Sequence, residues 1–138
     1  MIKSKVIHPE LLFHLARCGH KAQVLIADSN YSFVTNSGPN ANIVYLNFQP
    51  GMISGTDILN GIKETINVES ATMMQHPADF DNTILSEYQS ILPAETPFEF
   101  LEREDFYSAV KSDKTLLVIA SGEQRRFANI LLTVGAVF

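Results

Sequence analysis

Two runs, Val24-Leu25-Ile26-Ala27 and Leu116-Leu117-Val118-Ile119-Ala120, contain no polar residue. A strand with one wet face alternates polar and apolar side chains, and these runs do not. Each is also too short for a self-sufficient helix, so both read as strands buried on two faces, the situation of a parallel sheet covered by helices on either side. The segments around them carry the helical period that such a sheet needs. Leu11, Leu12 and Leu15 follow Pro9, which suits a first helical turn, and Gly19 offers a C-terminal cap; this predicts a helix over 9–18.

The rest of the chain continues the alternation. Strands are expected at 23–27, 43–46, 68–74, 98–101, 116–120 and 127–132, with a last edge strand at 134–138. A helix capped by Ser54 or Thr56 carries Ile58, Leu59, Ile62 and Ile66. A second spans 78–92, with Ile84, Leu85, Tyr88 and Leu92 on one face, and a third spans 105–111. Asn36-Ser37-Gly38-Pro39-Asn40 is a loop by its turn residues. The expected fold is α/β with a mostly parallel sheet. With 138 residues, 46% of them hydrophobic, and no linker or repeat, residues 1–138 read as one domain.

Ten Lys plus Arg against fifteen Asp plus Glu give a formal net charge of -5, and no basic stripe marks a nucleic-acid footprint. No apolar run approaches the roughly 20 residues of a membrane helix, and no leader is visible behind Met1-Ile2-Lys3-Ser4-Lys5, so a cytoplasmic protein is expected. Cys18 is the only cysteine, at helical spacing from Leu11 and Leu15, and reads as a small buried apolar residue.

Ligands of open α/β sheets collect beyond the carboxyl ends of the strands. Asp28, Asn30, Ser121, Gly122 and Glu123 all follow expected strands. A carboxylate that ends an apolar strand is costly as mere packing, which draws attention to Asp28. His20, after the first helix, is an imidazole able to exchange protons near neutrality, and the two could meet in one crevice. The bland alternatives are a surface histidine for His20, an Asx turn for Asp28 and Asn30, and a strand-to-strand turn with a solvated Arg125-Arg126 pair for the Ser121 segment. His8, His14 and His76 form no metal-ligand spacing. Neither a glycine-rich nucleotide loop nor a Gly-x-Ser-x-Gly elbow occurs, so no metal, nucleotide or other cofactor is expected.

Several separated segments resemble one family in collinear order. They are His8-Pro9-Glu10-Leu11-Leu12, Gly19-His20, Ile26-Ala27-Asp28-Ser29-Asn30, Glu102-Arg103 with Phe106-Tyr107, Ser121-Gly122-Glu123, Ala128-Asn129-Ile130 with Leu132, and Gly135 with Val137-Phe138. Together they are similar to the RbsD/FucU family of D-ribose pyranases and L-fucose mutarotases; residues 31–97 carry only the general element pattern. The resemblance implies a three-layer α/β/α fold of RbsD type and a ring-based homo-oligomer, often a decamer, with a site that neighbouring subunits could share. It also implies a free monosaccharide as ligand, with no nucleic acid and no membrane as partner. By the same resemblance His20 would be the catalytic histidine, Asp28 the carboxylate holding the sugar or the histidine, and Asn129 a sugar-binding amide. Arg103 would contact sugar as in the fucose branch, and Asn30 leans the same way. Phe127 departs from the family's usual tyrosine and lacks a hydroxyl for a sugar contact or proton relay. Tyr107 is a candidate to supply it, and Glu123 is a further candidate by position.

Mutarotation breaks and remakes only the bond between the anomeric carbon and the ring oxygen, so paired proton transfer suffices. A positioned acid or base contributes ~10²–10⁴-fold. L-fucose is the expected sugar, with a D-ribose pyranase as the runner-up. A non-catalytic monosaccharide-binding or regulatory protein, or one whose apolar 134–138 edge serves only association, are the readings from other classes. An unrelated small hydrolase or isomerase has no visible activated nucleophile to support it.

Overall fold

The computed structural model describes all residues 1–138. In chain order the elements are α1 (Pro9–Ala16), β1 (Gln23–Ala27), β2 (Asn42–Tyr45), α2 (Gly55–Ile62), β3 (Val68–Met74), α3 (Thr83–Ile91), β4 (Phe98–Leu101), α4 (Arg103–Val110), β5 (Thr115–Ala120) and β6 (Ile130–Val134). One six-stranded sheet runs in the order β2-β5-β1-β6-β3-β4. β2, β5 and β1 are parallel, as are β3 and β4, while β6 runs antiparallel to both of its neighbours. The mostly parallel sheet matches expectation.

The antiparallel β6 has a direct consequence for the site. Ile130, its first residue, pairs with Ile26 on one side and Met73 on the other. Asn129 therefore enters the sheet at the edge where Asp28 and Met74 leave it. Three chain segments distant in sequence converge there.

Side-chain alternation along each strand divides the core between the two faces. Val24, Ile26, Leu117, Ile119, Ile130 and Leu132 pack with α1, α2 and α3. Leu25, Ala27, Val118 and Leu131 face the other way, onto Phe106 and Val110 of α4. The result is three layers, with both apolar strand runs buried except for Leu116, which is half-buried. Burying each of these large side chains stabilises the fold by about 1.5–3 kcal/mol.

Local chemistry explains where the helices start. The His8 imidazole accepts a hydrogen bond from the Leu11 N–H at 3.2 Å, and Pro9 occupies the first turn of α1. Ser54, rather than Thr56, caps α2 by accepting from the Asp57 N–H at 3.1 Å. Asn82 caps α3 through the Leu85 N–H, so this helix begins five residues later than its apolar pattern suggested: an Asn side chain that bonds the backbone ends the preceding turn. α4 begins at Arg103 instead of 105, and Ile66 lies beyond the end of α2.

Three other expectations are corrected. The left-handed residue after α1 is Lys21 (φ 71), not Gly19; its N–H donates to the Val134 carbonyl at 2.8 Å, which fixes the corner. β6 starts at Ile130 rather than 127, because Phe127 adopts φ 57 and interrupts the extended backbone before the ladder. Residues 135–138 form no edge strand: Gly135 donates to the Asn67 carbonyl at 2.8 Å, and Val137 and Phe138 stand exposed. No helix is long and apolar enough to cross a membrane.

Candidate functional site

Asp28 is the first residue after β1 and is 7% exposed. Its N–H donates to Asn129 Oδ1 at 2.7 Å, while Asn129 Nδ2 donates to Asp28 Oδ2 at 3.0 Å. The Asn30 N–H donates to Asp28 Oδ1 at 3.0 Å, so the Asx turn weighed as a bland reading does form, inside the site. Burial pushes the Asp28 carboxyl up to about 6, against the opposing pull of hydrogen bonds from Asn30, Tyr31 and Asn129, and the Glu123 charge adds to the rise. A carboxyl in that range can hold or release a proton near neutrality.

Around this pair lies a recess of about 240 Å³ lined by Asn30, Tyr31, Met74, Arg103, Tyr107, Arg126 and Phe127 along with Asp28 and Asn129. Pockets for drug-sized ligands run ~300–1,000 Å³, so this one suits a small ligand, and its amides, carboxyl and guanidinium groups suit one rich in hydroxyls. The elements that supply these groups meet for stated reasons. The β1 exit gives Asp28 and Asn30, the β6 entry gives Phe127 and Asn129, and the start of α4 gives Arg103 and, one turn on, Tyr107.

Of the residues singled out in the sequence, Asp28, Asn30, Arg103, Tyr107, Phe127 and Asn129 line this one recess. His20 and Glu123 do not. His20 lies before β1, exposed, with Nε2 3.6 Å from Glu69 Oε2 at the opposite edge of the sheet. A five-residue strand separates it from Asp28, and at ~3.3 Å per residue that is roughly 16 Å. The expectation that the two meet in one crevice is not fulfilled within a single chain.

Glu123 is 5% exposed and turned towards protein rather than the recess. Its carboxylate accepts from Arg125 Nε at 3.0 Å, Arg125 Nη2 at 3.1 Å, the Arg125 N–H at 3.1 Å and the Gly55 N–H at 3.2 Å. Burial works to raise this carboxyl, and the Arg125 and Gly55 donors outweigh it, holding it below the usual carboxylate range. Arg125 is therefore not a solvated arginine, while Arg126 stays exposed. Arg125 bridges Glu123 and Glu87, and Arg126 stacks over Phe80 and Phe127 at 5.3 and 5.2 Å.

Tyr31 and Met74 are site residues that the sequence did not single out, and Arg126, weighed there only as half of a solvated pair, lines the recess as well. Met74 ends β3 as Asp28 ends β1, so the carboxyl-edge rule that singled out Asp28 applied to it equally. Tyr31 anchors the turn by donating to the Asn36 carbonyl at 2.7 Å and meets Tyr107 edge-on at 5.8 Å. Burial drives its phenol upward, away from any role as a neutral-pH acid.

Fold and recess together define a three-layer α/β protein with a small polar ligand site at its carboxyl strand edge. Comparison with known proteins makes this specific: the description of the RbsD / FucU transport protein family matches residues 1–137, and the chain belongs to this family of sugar mutarotases and pyranases. It is 30% identical to the mouse (Mus musculus) fucose mutarotase, across 96% of the chain and 92% of that protein. It is 29% identical to a Streptomyces avermitilis D-ribose pyranase, across the full length of both. Among solved structures, the Streptococcus pneumoniae fucose mutarotase in complex with L-fucose superposes with a TM-score of 0.83, at 25% identity and full coverage of both chains.

Proposed function

We propose that the protein is a cofactor-independent mutarotase that opens and recloses the ring of a free monosaccharide, with L-fucose as its sugar. The observation that carries this reading is the recess in which Asp28, Asn129, Arg103 and Asn30 converge. Asp28 grips a sugar hydroxyl or orients the acid/base, while Arg103 and Asn129 fix the ring. Relatives acting on fucose and on ribose are about equally similar to this chain; Arg103 and Asn30 in the recess favour fucose.

His20 takes the acid/base role from a neighbouring copy. It is half-exposed and held near Glu69, too far from its own Asp28, so a homo-oligomer that docks this edge on a neighbour's recess would complete the site. Large apolar side chains left in water, Phe13, Val34, Phe48 and Val137 among them, support self-association. A ring-based assembly, with a decamer as its form, and a cytoplasmic location complete the proposal.

Saturation-transfer NMR of L-fucose and D-ribose anomers, with and without protein, tests it. Faster exchange of L-fucose is expected. Binding without faster exchange would instead favour a non-catalytic sugar-binding protein, a reading to which the missing hydroxyl at Phe127 gives some weight. Exchange of ribose alone would make it a pyranase.

A further inference from the structure

Phe127 and Asn129 reach the recess from a stretch that belongs to no helix or strand. Phe127 holds φ 57, a left-handed conformation that a residue other than glycine keeps only where its surroundings dictate it. Asn129 in turn must aim its amide at both the main chain and the carboxylate of Asp28. A loop that holds such geometry needs an anchor, and the anchor lies outside the recess.

Tyr88 of α3 is fully buried, and its hydroxyl donates to the Ala128 carbonyl at 2.9 Å. That carbonyl belongs to the peptide joining Ala128 to Asn129, so the bond fixes the plane from which the Asn129 side chain departs. No main-chain donor reaches the same oxygen. Burial holds the phenol well above its ordinary value, so it stays protonated and donating through neutral pH. The hydroxyl has room because residue 55, at the start of α2, is glycine: a Cβ there would collide with it. Glu87, the residue before Tyr88, meets Arg125 at 2.8 Å. α3 thus grips the segment 125–129 at two points, and the buried one is Tyr88.

We propose that Tyr88 is a positioning residue of the sugar site, acting through the Ala128 carbonyl on Asn129 and Phe127, a role that rests on the mutarotase reading above. Tyr88 does not line the recess and meets no sugar itself. Without its hydroxyl the Ala128 carbonyl has no donor, and the peptide is free to turn. The Asn129 amide then leaves Asp28 for part of the time, and the sugar is held less often in the geometry for proton transfer. The loss falls on the reaction more than on binding, because Asn30, Arg103 and Arg126 still line the recess.

The test compares Tyr88→Phe, which removes the hydroxyl alone, with Ile84→Val, which trims the same buried face of α3 and leaves the bond to Ala128 in place. Tyr88→Phe is expected to lose about tenfold in anomer exchange at saturating sugar, while affinity read by titration stays within about threefold. The Asp28 carboxyl, followed by carbon NMR against pH, should titrate above its wild-type midpoint near 6, because a loosened Asn129 donates to it less. Tyr31, Arg103, Tyr107 and Arg126 around the recess, and Glu123 beyond it, are unaltered in the variant. Ile84→Val should match the wild type in exchange and in the Asp28 midpoint. Gly55→Ala crowds the hydroxyl off Ala128 while keeping the main-chain bond to Glu123, and should slow exchange in the same way; it carries the test should Tyr88→Phe fail to fold. Wild-type exchange in folded Tyr88→Phe or Gly55→Ala, or equal losses in Ile84→Val, would overturn the positioning role. Absence of exchange with the wild-type protein would instead remove the mutarotase reading itself, so the two failures are distinguishable.

Discussion

Asp28 and Asn129 hold each other by two hydrogen bonds, at 2.7 and 3.0 Å, across a sequence separation of 101 residues. The amide of Asn129 reads both the main chain and the carboxylate of Asp28, so it holds the position of the β1 exit and, with Asn30 and Tyr31, opposes the burial that favours the protonated carboxyl. Only the antiparallel course of β6 between β1 and β3 allows this meeting.

Asn129→Ala should therefore cost stability and ligand binding together. It strands the buried Asp28 N–H without an acceptor, a loss of about 1–3 kcal/mol. Urea unfolding would show the midpoint falling, and sugar titration at a temperature where the variant is still folded would show weakened binding. An Asn129→Ala protein as stable as wild type would contradict the structural role.

The Asp28 carboxyl predicts a pH dependence whose sign is opposite to that of a salt-bridged acid. Its rise from 3.8 to about 6 corresponds to about 3 kcal/mol of folded-state cost for the ionised form. Below 3.8 the group is protonated folded and unfolded, and contributes nothing. Between 3.8 and about 6 the folded state binds more protons, so stability falls as pH rises, and above about 6 the full cost is present. Asp28→Asn should lack this fall when urea unfolding is followed between about pH 4 and about pH 7. If the ionised carboxyl serves the reaction, exchange should also rise with pH through a midpoint near 6 in the wild type alone.

Why some of this was legible in the sequence, and some not, follows from the range of each interaction. β1 falls where its run predicted, because a strand covered on both faces must be apolar throughout; β3 and β4 also keep their predicted bounds, although both carry polar residues. Asp28 was visible since it ends such a run abruptly. The N-terminal end of α3 was misplaced because the Asn82 cap competes with an apolar pattern that extends past it. His20 was joined to Asp28 by their chain proximity, yet a strand between them carries them to opposite edges. Glu123 was read by position, whereas its partners, Arg125 and the Gly55 N–H, depend on tertiary packing. Nothing local in the sequence announces the stacking of Arg126 on Phe80.

Glu123→Gln should separate stability from catalysis. The carboxylate joins the start of α2 to the segment leading into Phe127, and loses its ionic partner in the variant. Because Arg125 is 37% exposed and also reaches Glu87, solvent weakens the pair, and the cost is about 1–2 kcal/mol. The depressed Glu123 carboxyl stabilises the wild type above its ordinary value of 4.5, and this is lost as pH falls through its lowered folded value, so the difference from Glu123→Gln should shrink in acid. Sugar affinity at neutral pH should change little; a large loss of binding in a folded variant would return Glu123 to the site.

Gly122→Ala probes the other support of the same segment. A Cβ at Gly122 would collide with the Met52 and Gln49 carbonyl oxygens, both main chain and unable to swing aside. The close approach is fixed by the Gly122 N–H donating to Ile53 at 2.9 Å and the Gly51 N–H donating to Gly122 at 2.7 Å. Overpacking of this kind costs about 1–3 kcal/mol. Thermal unfolding should show a clear drop, and an unchanged melting temperature would mean that the 49–53 loop yields freely.

Whether His20 serves its own chain or a neighbour can be decided by complementation. His20→Ala and Asp28→Asn should each be inactive alone, because each removes one half of every site. If each site joins His20 of one copy to Asp28 of another, co-expressing the two variants yields mixed oligomers in which about a quarter of sites receive both intact groups. If both groups had to come from one chain, no mixture would recover activity, since neither variant carries the pair. The roughly 16 Å spanned by β1 between them predicts recovery. Anomer exchange measured on the co-expressed protein, against the separately purified variants mixed without subunit exchange, gives the comparison; an inactive mixed oligomer would mean that His20 and Asp28 serve a site within one chain.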